Sequence, residues 1–172
     1  GVLLADGTWP SRASPAGGED EFPQFDEQWS YGPADADHKV VRLALEGVIL
    51  RDLQPGWFGM RHDPVEALLR QIRAATNDEQ VLGLLLEINS PGGAVTPAFE
   101  IYEALQAFRL ARSKRFIVAR VGDLAASGGY LVACAADHII AHPSSVVGSI
   151  GVVIQSLNLA QLAERIGVQD EI

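Results

Sequence analysis

The sequence predicts an α/β fold, a mainly parallel sheet joined by right-handed crossover helices and preceded by an extended N-terminal arm. Three observations predict it. From Lys39 onward, short apolar runs of strand length alternate with stripes of helical period, the order that yields a parallel sheet. Two glycine-rich segments directly follow successive apolar runs, where open parallel sheets bind their ligands. The 172 residues suit a single domain, burying roughly 70% of the surface an unfolded chain exposes.

Residues 1–38 are expected as the arm. They hold eight acids against one base, Arg12, a net of −7 out of the chain's −9, and are rich in Pro and Gly without periodicity. Such a stretch buries too little apolar surface to offset its ordering entropy. Its aromatics Trp9, Phe22, Phe25, Trp29 and Tyr31 suit docking on the body or on a neighbouring subunit.

Residues 39–172 are expected as the domain. Residues 40–50 are rich in β-branched side chains and end near Gly and Pro, so they read as a strand. Asp63-Pro64-Val65-Glu66 offers an N-cap, a proline at the first helical position and an acid in the first turn; Val65, Leu68, Leu69 and Ile72 continue it at helical spacing. Residues 81–88 are nearly all apolar, as in a strand covered on both faces. Thr96-Pro97 is expected to cap a helix with the stripe Ala98, Ile101, Leu105 and Phe108. Residues 116–121 form a third buried strand, and residues 127–136 are small and apolar enough for a buried helix. Ile139-Ile140, Val146-Val147 and residues 152–154 give short strands; Asn158 opens a last helix that Gly167 stops.

Composition excludes several functions. A net charge of −9 argues against nucleic acid, which needs clustered Lys and Arg. The one cysteine, Cys134, excludes an intrachain disulfide framework and a multi-cysteine zinc site, and its apolar setting suggests an inert core thiol. There is no Cys/His cluster, P-loop or dinucleotide fingerprint, so no metal or organic cofactor is expected. The longest charge-free stretches are broken by Gly, Ser or Pro and do not read as membrane spans.

The chemistry lies in the two glycine-rich segments, Asn89-Ser90-Pro91-Gly92-Gly93 and Asp123-Leu124-Ala125-Ala126-Ser127-Gly128-Gly129-Tyr130. Ser127 falls where a strand hands over to a helix, and its small neighbours leave the hydroxyl open to a carbonyl. The helix N-terminus offers unpaired N–H groups to a developing oxyanion. The Gly92-Gly93 pair can expose more, since glycine accepts the required backbone angles. One segment supplies a nucleophile and the other a charge-stabilising cradle, the logic of a nucleophile elbow without its G-x-S-x-G motif. Each alone would be turn chemistry; two at successive strand ends point to a site.

Ile88-Asn89-Ser90-Pro91-Gly92-Gly93, residues 122–130 and Gly148-Ser149-Ile150-Gly151-Val152, in this order, resemble the signal peptide peptidase A family, serine proteases of the Clp/crotonase-like fold. The resemblance covers residues 39–172. It implies a Ser/Lys dyad endopeptidase that cleaves extended apolar peptides, such as remnant signal peptides, at the extracytoplasmic face of the bacterial envelope. Carried over by motif, Ser127 is the nucleophile, Gly92, Gly93 and Gly128 surround the oxyanion hole, and Ser149 orients the lysine base. An extended substrate would pair near Ala94 and Val95 on one side and Gly151, Val152 and Val153 on the other. The family also implies a homo-oligomer, with membrane association through a segment outside these residues.

The family's lysine lies in a K-S-G-like segment just beyond the Ile166-Gly167-Val168 stretch, and this chain departs from the pattern there. Its lysines are Lys39 and Lys114, and Lys114 sits in the basic run Arg112-Ser113-Lys114-Arg115, expected as a solvated turn. The expectation is that native sequence continues past Ile172 with the base. His142 is the alternative base. Two rival functions keep the fold: a base-less scaffold or peptide-binding subunit, and a crotonase-like acyl-CoA enzyme, which would give Ser127 no particular role.

Overall fold

The computed structural model describes residues 2–4, 28–32, 36–51 and 63–151. Its elements are β1 (Val2–Leu4), β2 (Gln28–Tyr31), β3 (Lys39–Ile49), α1 (Pro64–Asn77), β4 (Val81–Gly93), α2 (Val95–Leu110), β5 (Phe116–Ala126), α3 (Gly128–Ala133), β6 (His138–Ala141) and β7 (Val146–Gly148). They build one sheet in the order β2-β1-β3-β4-β5-β6, with β7 also on β5. β1 and β2 are antiparallel; every other pairing is parallel. The fold is α/β as the sequence predicts. The strand expected over 152–154 and the helix from Asn158 lie outside the described residues.

The arm enters the sheet through its backbone: Val2, Leu3 and Leu4 pair with Val40, Val41 and Arg42. A three-residue strand needs no long apolar pattern when a ready edge completes its hydrogen bonds, so periodicity gave no sign of it.

α1 forms as its cap predicts. Asp63 Oδ1 accepts the N–H of Val65 at 2.9 Å and of Glu66 at 3.1 Å, which contributes about 1 kcal/mol. Val65, Leu68, Leu69 and Ile72 are buried beneath it. α2 buries the expected stripe, but Thr96 is not its cap. The helix starts at Val95 and Ala94 stands at the N-cap with no side-chain hydrogen bond. The Ala94 N–H instead donates to Ile49 O at 2.8 Å, so the neighbouring strand, not a cap residue, sets where this helix starts.

The core lies on one face of the sheet. Leu84, Leu86 and Ile88 of β4 pack with Leu43 and Leu45 of β3, Ile117 and Ala119 of β5, and Ile101, Leu105 and Phe108 of α2. Fully burying each large side chain contributes about 1.5–3 kcal/mol. The expectation that β4 is covered on both faces fails: Leu85 and Glu87, on its other face, are only half-buried. There Glu87 pairs with Arg42 of β3 at 3.3 Å and Arg120 of β5 at 3.0 Å.

Arg115 is a second correction. In the expected solvated turn Lys114 is exposed, but Arg115 is buried. Its guanidinium donates to Thr76 O at 2.9 Å, Ala75 O at 3.4 Å, Asp78 O at 2.8 Å and Val81 O at 3.2 Å, and lies 4.4 Å from the Phe108 ring centroid. Burial, with help from Arg112's charge, pushes its pKa below the usual guanidinium range. One cation thus closes the C-terminal turn of α1, whose orphan carbonyls favour positive charge.

Candidate active site

Both glycine-rich segments continue strands instead of forming separate loops. β4 runs on through Asn89-Ser90-Pro91-Gly92-Gly93, and Gly92 and Gly93 pair with Val48 and Ile49 of β3 after a register shift. β5 runs on through Ala126, two residues after Leu124 takes up β7. The sequence missed this because Gly and Pro weaken local strand propensity, whereas partner strands on both sides supply the pairing.

Ser127 joins β5 to α3 with φ 51° and ψ −120°. Such a backbone costs a non-glycine residue roughly 1–3 kcal/mol and persists only where the surroundings impose it. Here the Ser127 N–H donates to Gly148 O at 2.9 Å and its carbonyl accepts the Leu131 N–H at 3.0 Å. Its side chain makes no capping hydrogen bond, so the hydroxyl is not occupied in holding α3. The result is a sharp strand-to-helix turn, the kind of backbone on which nucleophile elbows are built. Among the described residues only one other non-glycine residue has positive φ: Ser149, at 54°. The sheet brings the two together, since Ala126 pairs with Gly148 and each serine follows one of those residues.

β6 and β7 share one edge of β5 in series. β6 pairs with Val118–Val121 and β7 with Leu124–Ala126. Between them the turn at residues 142–145 is held by Ser145, whose hydroxyl donates to Gly122 O at 2.5 Å. That anchor sends the chain back onto β5 in time to place Ser149 opposite Ser127.

The glycines leave the space that the elbow occupies. A β-carbon on Gly92, where φ is +93°, would lie 2.8 Å from Ser127 Cβ and 2.7 Å from the Gly128 nitrogen. One on Gly93 would lie 2.2 Å from Ile49 O. One on Gly128 would lie 3.5 Å from the Gly93 nitrogen. The structure therefore gathers Gly92, Gly93, Ser127 and Gly128. The Gly92 N–H, however, already donates to Ser90 Oγ at 3.1 Å. Ala94 and Val95 open α2, leaving no extended edge beyond Gly93; Gly151 is exposed, and Val152 and Val153 lie outside the described residues.

In the sequence, Ser90 stands out only as one residue of the Asn89–Gly93 motif. It is fully buried, and its hydroxyl donates to Gly47 O at 2.6 Å. The available sequence signal was a small hydroxyl residue inside a glycine turn at a strand end.

Sheet register sorts the candidate bases. Lys39 and Lys114 stand at the N-terminal ends of β3 and β5, about 30 Å or more from Ser127 at roughly 3.3 Å per residue. His138 pairs with Val118, nine residues before Ser127 and so about 30 Å away along β5. His142 lies one residue beyond Ala141, which pairs with Val121. It sits within its own turn, its Nδ1 accepting the Ser144 N–H at 3.2 Å. Cys134, expected in the core, is the exposed C-cap residue of α3. Among the described residues no three His, Cys, Asp or Glu side chains gather as metal ligands.

Residues 109–172 match the family model "Peptidase family S49". The chain is 35% identical over 138 residues to a protein of Enterococcus faecium named signal peptide peptidase SppA, covering 78% of this chain and 39% of that one. The chain belongs to the signal peptide peptidase A family. A 98-residue stretch is also 43% identical to a part of the Na(+)/H(+) antiporter NhaA of Brucella abortus, covering 57% of this chain and 13% of that one. The family member thus spans about two fifths or less of the length of these curated relatives. Among solved structures, a mutant of the 1510-N membrane-bound stomatin-specific protease matches with a TM-score of 0.51 and 18% identity, over 76% of this chain and 60% of that chain. At that identity the likeness establishes a shared fold.

Proposed function

We propose that this signal peptide peptidase A family member carries the nucleophile and oxyanion cradle of a serine endopeptidase. The observation that carries the reading is the Ser127 backbone, held at φ 51° between Gly148 O and the first turn of α3 with its hydroxyl uncommitted. In this reading Ser127 Oγ attacks the scissile carbonyl and gives its proton to a neutral lysine. The tetrahedral oxyanion accepts hydrogen bonds from the N–H groups of Gly93 and Gly128, and its collapse expels the amine, which takes the proton from the lysine. Water then hydrolyses the acyl-serine. Gly92 contributes space instead of a donor, because its N–H is engaged by Ser90. The lysine is that of the family motif, and Ser149 orients it.

The substrate in this proposal is an extended apolar peptide, remnant signal peptides included. Val95 and Ile150, 65% and 85% exposed, flank the site, and β7 has an edge beside Ser127 for strand addition. Exposed Ile139 and Ile140 on β6 support a homo-oligomer contact there, apart from the β7 edge. The proposed location is the extracytoplasmic face of the bacterial envelope, with membrane association through sequence outside these residues. No helix among the described residues is long and apolar enough to cross a membrane.

The test is covalent. A fluorophosphonate probe should label the native protein at Ser127, identified by peptide mass spectrometry, and apolar peptide hydrolysis should fall in parallel with labelling. Absence of both labelling and hydrolysis, with peptide binding retained, would replace the protease reading by the peptide-binding one.

A further inference from the structure

We propose that Ser90 is a positioning residue of the oxyanion cradle: it fixes the direction of the Gly93 N–H by anchoring the residue before it. The inference rests on the peptidase reading above and deepens it. Ser90 is fully buried, so its hydroxyl must satisfy itself inside the protein. It does so with both capacities, donating to Gly47 O at 2.6 Å and accepting the Gly92 N–H at 3.1 Å. Gly47, at φ +74°, lies where β3 and β4 shift register between Glu46 and Val48. The hydroxyl therefore bridges the irregular part of β3 to the irregular part of β4.

The consequence concerns the residue in between. On one side of Gly93, Ser90 holds the Gly92 N–H; on the other, Ile49 O holds the Ala94 N–H at 2.8 Å. Glycine at position 93 brings no side chain to restrict its own backbone, and one could not be added, since a β-carbon would lie 2.2 Å from Ile49 O. With both flanking amides anchored, the Gly93 peptide keeps one orientation relative to Ser127. Ser90 also packs on the elbow itself: a β-carbon on Gly129 would lie 2.9 Å from Ser90 O and 3.4 Å from Ser90 Oγ. One side chain thus touches both halves of the cradle without facing the substrate.

Ser90→Ala removes the anchor and leaves the Gly92 N–H and Gly47 O without it. Misaligning one oxyanion donor, short of deleting it, should lower kcat about 10- to 100-fold while KM stays within about threefold. A merely structural role could also lower activity, so the deciding readout is different. An ester substrate is compared with its thionoester, whose sulfur fits poorly into an aligned oxyanion hole. The wild type should prefer the ester strongly, and Ser90→Ala should lose most of that preference. Hydrogen exchange gives a second readout independent of turnover, and the Gly92 amide should exchange at least about tenfold faster in Ser90→Ala. Ser90→Cys, which keeps a weaker donor and acceptor at the same place, should fall between the two in both measurements.

An unchanged ester-to-thionoester ratio in folded Ser90→Ala overturns the assignment, as does unchanged Gly92 exchange. If the wild type neither hydrolyses peptides nor takes the phosphonate probe, the peptidase reading fails; accelerated exchange would then show that Ser90 orders the turn without serving catalysis, which overturns the positioning role. Should Ser90→Ala fail to fold, Ser90→Cys carries both measurements.

Discussion

β4 and β5 have two ends built on opposite rules. At their N-terminal ends Arg115 gives its donors to four carbonyls, and the Phe116 ring sits over Gly83, where a β-carbon would lie 2.5 Å from Cζ. At their C-terminal ends the backbone is strained and polar groups stay open. The two positive-φ serines among the described residues are both there, and glycines hold space that side chains would fill. The same strands thus carry stability at one end and strain at the other.

The sharpest way to break this contrast is at Ser127. Ser127→Ala should lower peptide hydrolysis by roughly 10³-fold or more, with the thermal midpoint nearly unchanged, because the hydroxyl makes no capping bond. Residual turnover near the wild-type level in a homogeneous sample would remove the site from this end of the sheet.

The converse experiment is at the closed end. Arg115→Met keeps much of the packing on Phe108 but strips four carbonyls of their donor, so urea unfolding should show a loss of about 2–4 kcal/mol. Turnover of the folded fraction should stay within about twofold of wild type, since the sites are far apart. A large drop in kcat with intact stability would mean that the ends are not separable.

Ser149→Ala sharpens the open end from within. Its proposed part is to orient the base, so the rate should fall about tenfold and phosphonate labelling should slow in proportion, while folding persists. Equal labelling rates in the two proteins would assign the positive φ of Ser149 to the turn alone.

The smallest effect is expected midway along the sheet. Glu87 pairs with Arg42 and Arg120 across three strands, but all three side chains are partly exposed. Glu87→Gln should cost about 0.5 kcal/mol at low salt and less at high salt, with activity unchanged. A cost several times larger would make the middle of the sheet a third stabilising region.

How legible each region was follows from the range of the forces that build it. Local signals revealed the start and the buried stripe of α1, because its cap, its proline and its stripe lie within ten residues of one another. They singled out Ser127, whose small neighbours at a strand end leave its hydroxyl open, whereas Ser149 was marked only through the family resemblance. Ser90 and Arg115 were not legible: each takes its meaning from partners more than thirty residues away, Gly47 in one case and Ala75 to Val81 in the other. The start of α2 was misread for the same reason, since Ile49 O sets it.

By itself, then, the sequence determined the alternation of strands and helices and the faces that α1 and α2 bury. These follow from periodicity and residue type, which act within a few turns of chain. Only the tertiary structure decided that both glycine segments extend their strands, that β7 sets Ser149 beside Ser127, and that the Gly92 N–H belongs to Ser90 and not to a substrate. Those outcomes depend on which strand lies next to which, and hydrogen bonds between distant strands are fixed by register, a property no local stretch of sequence contains.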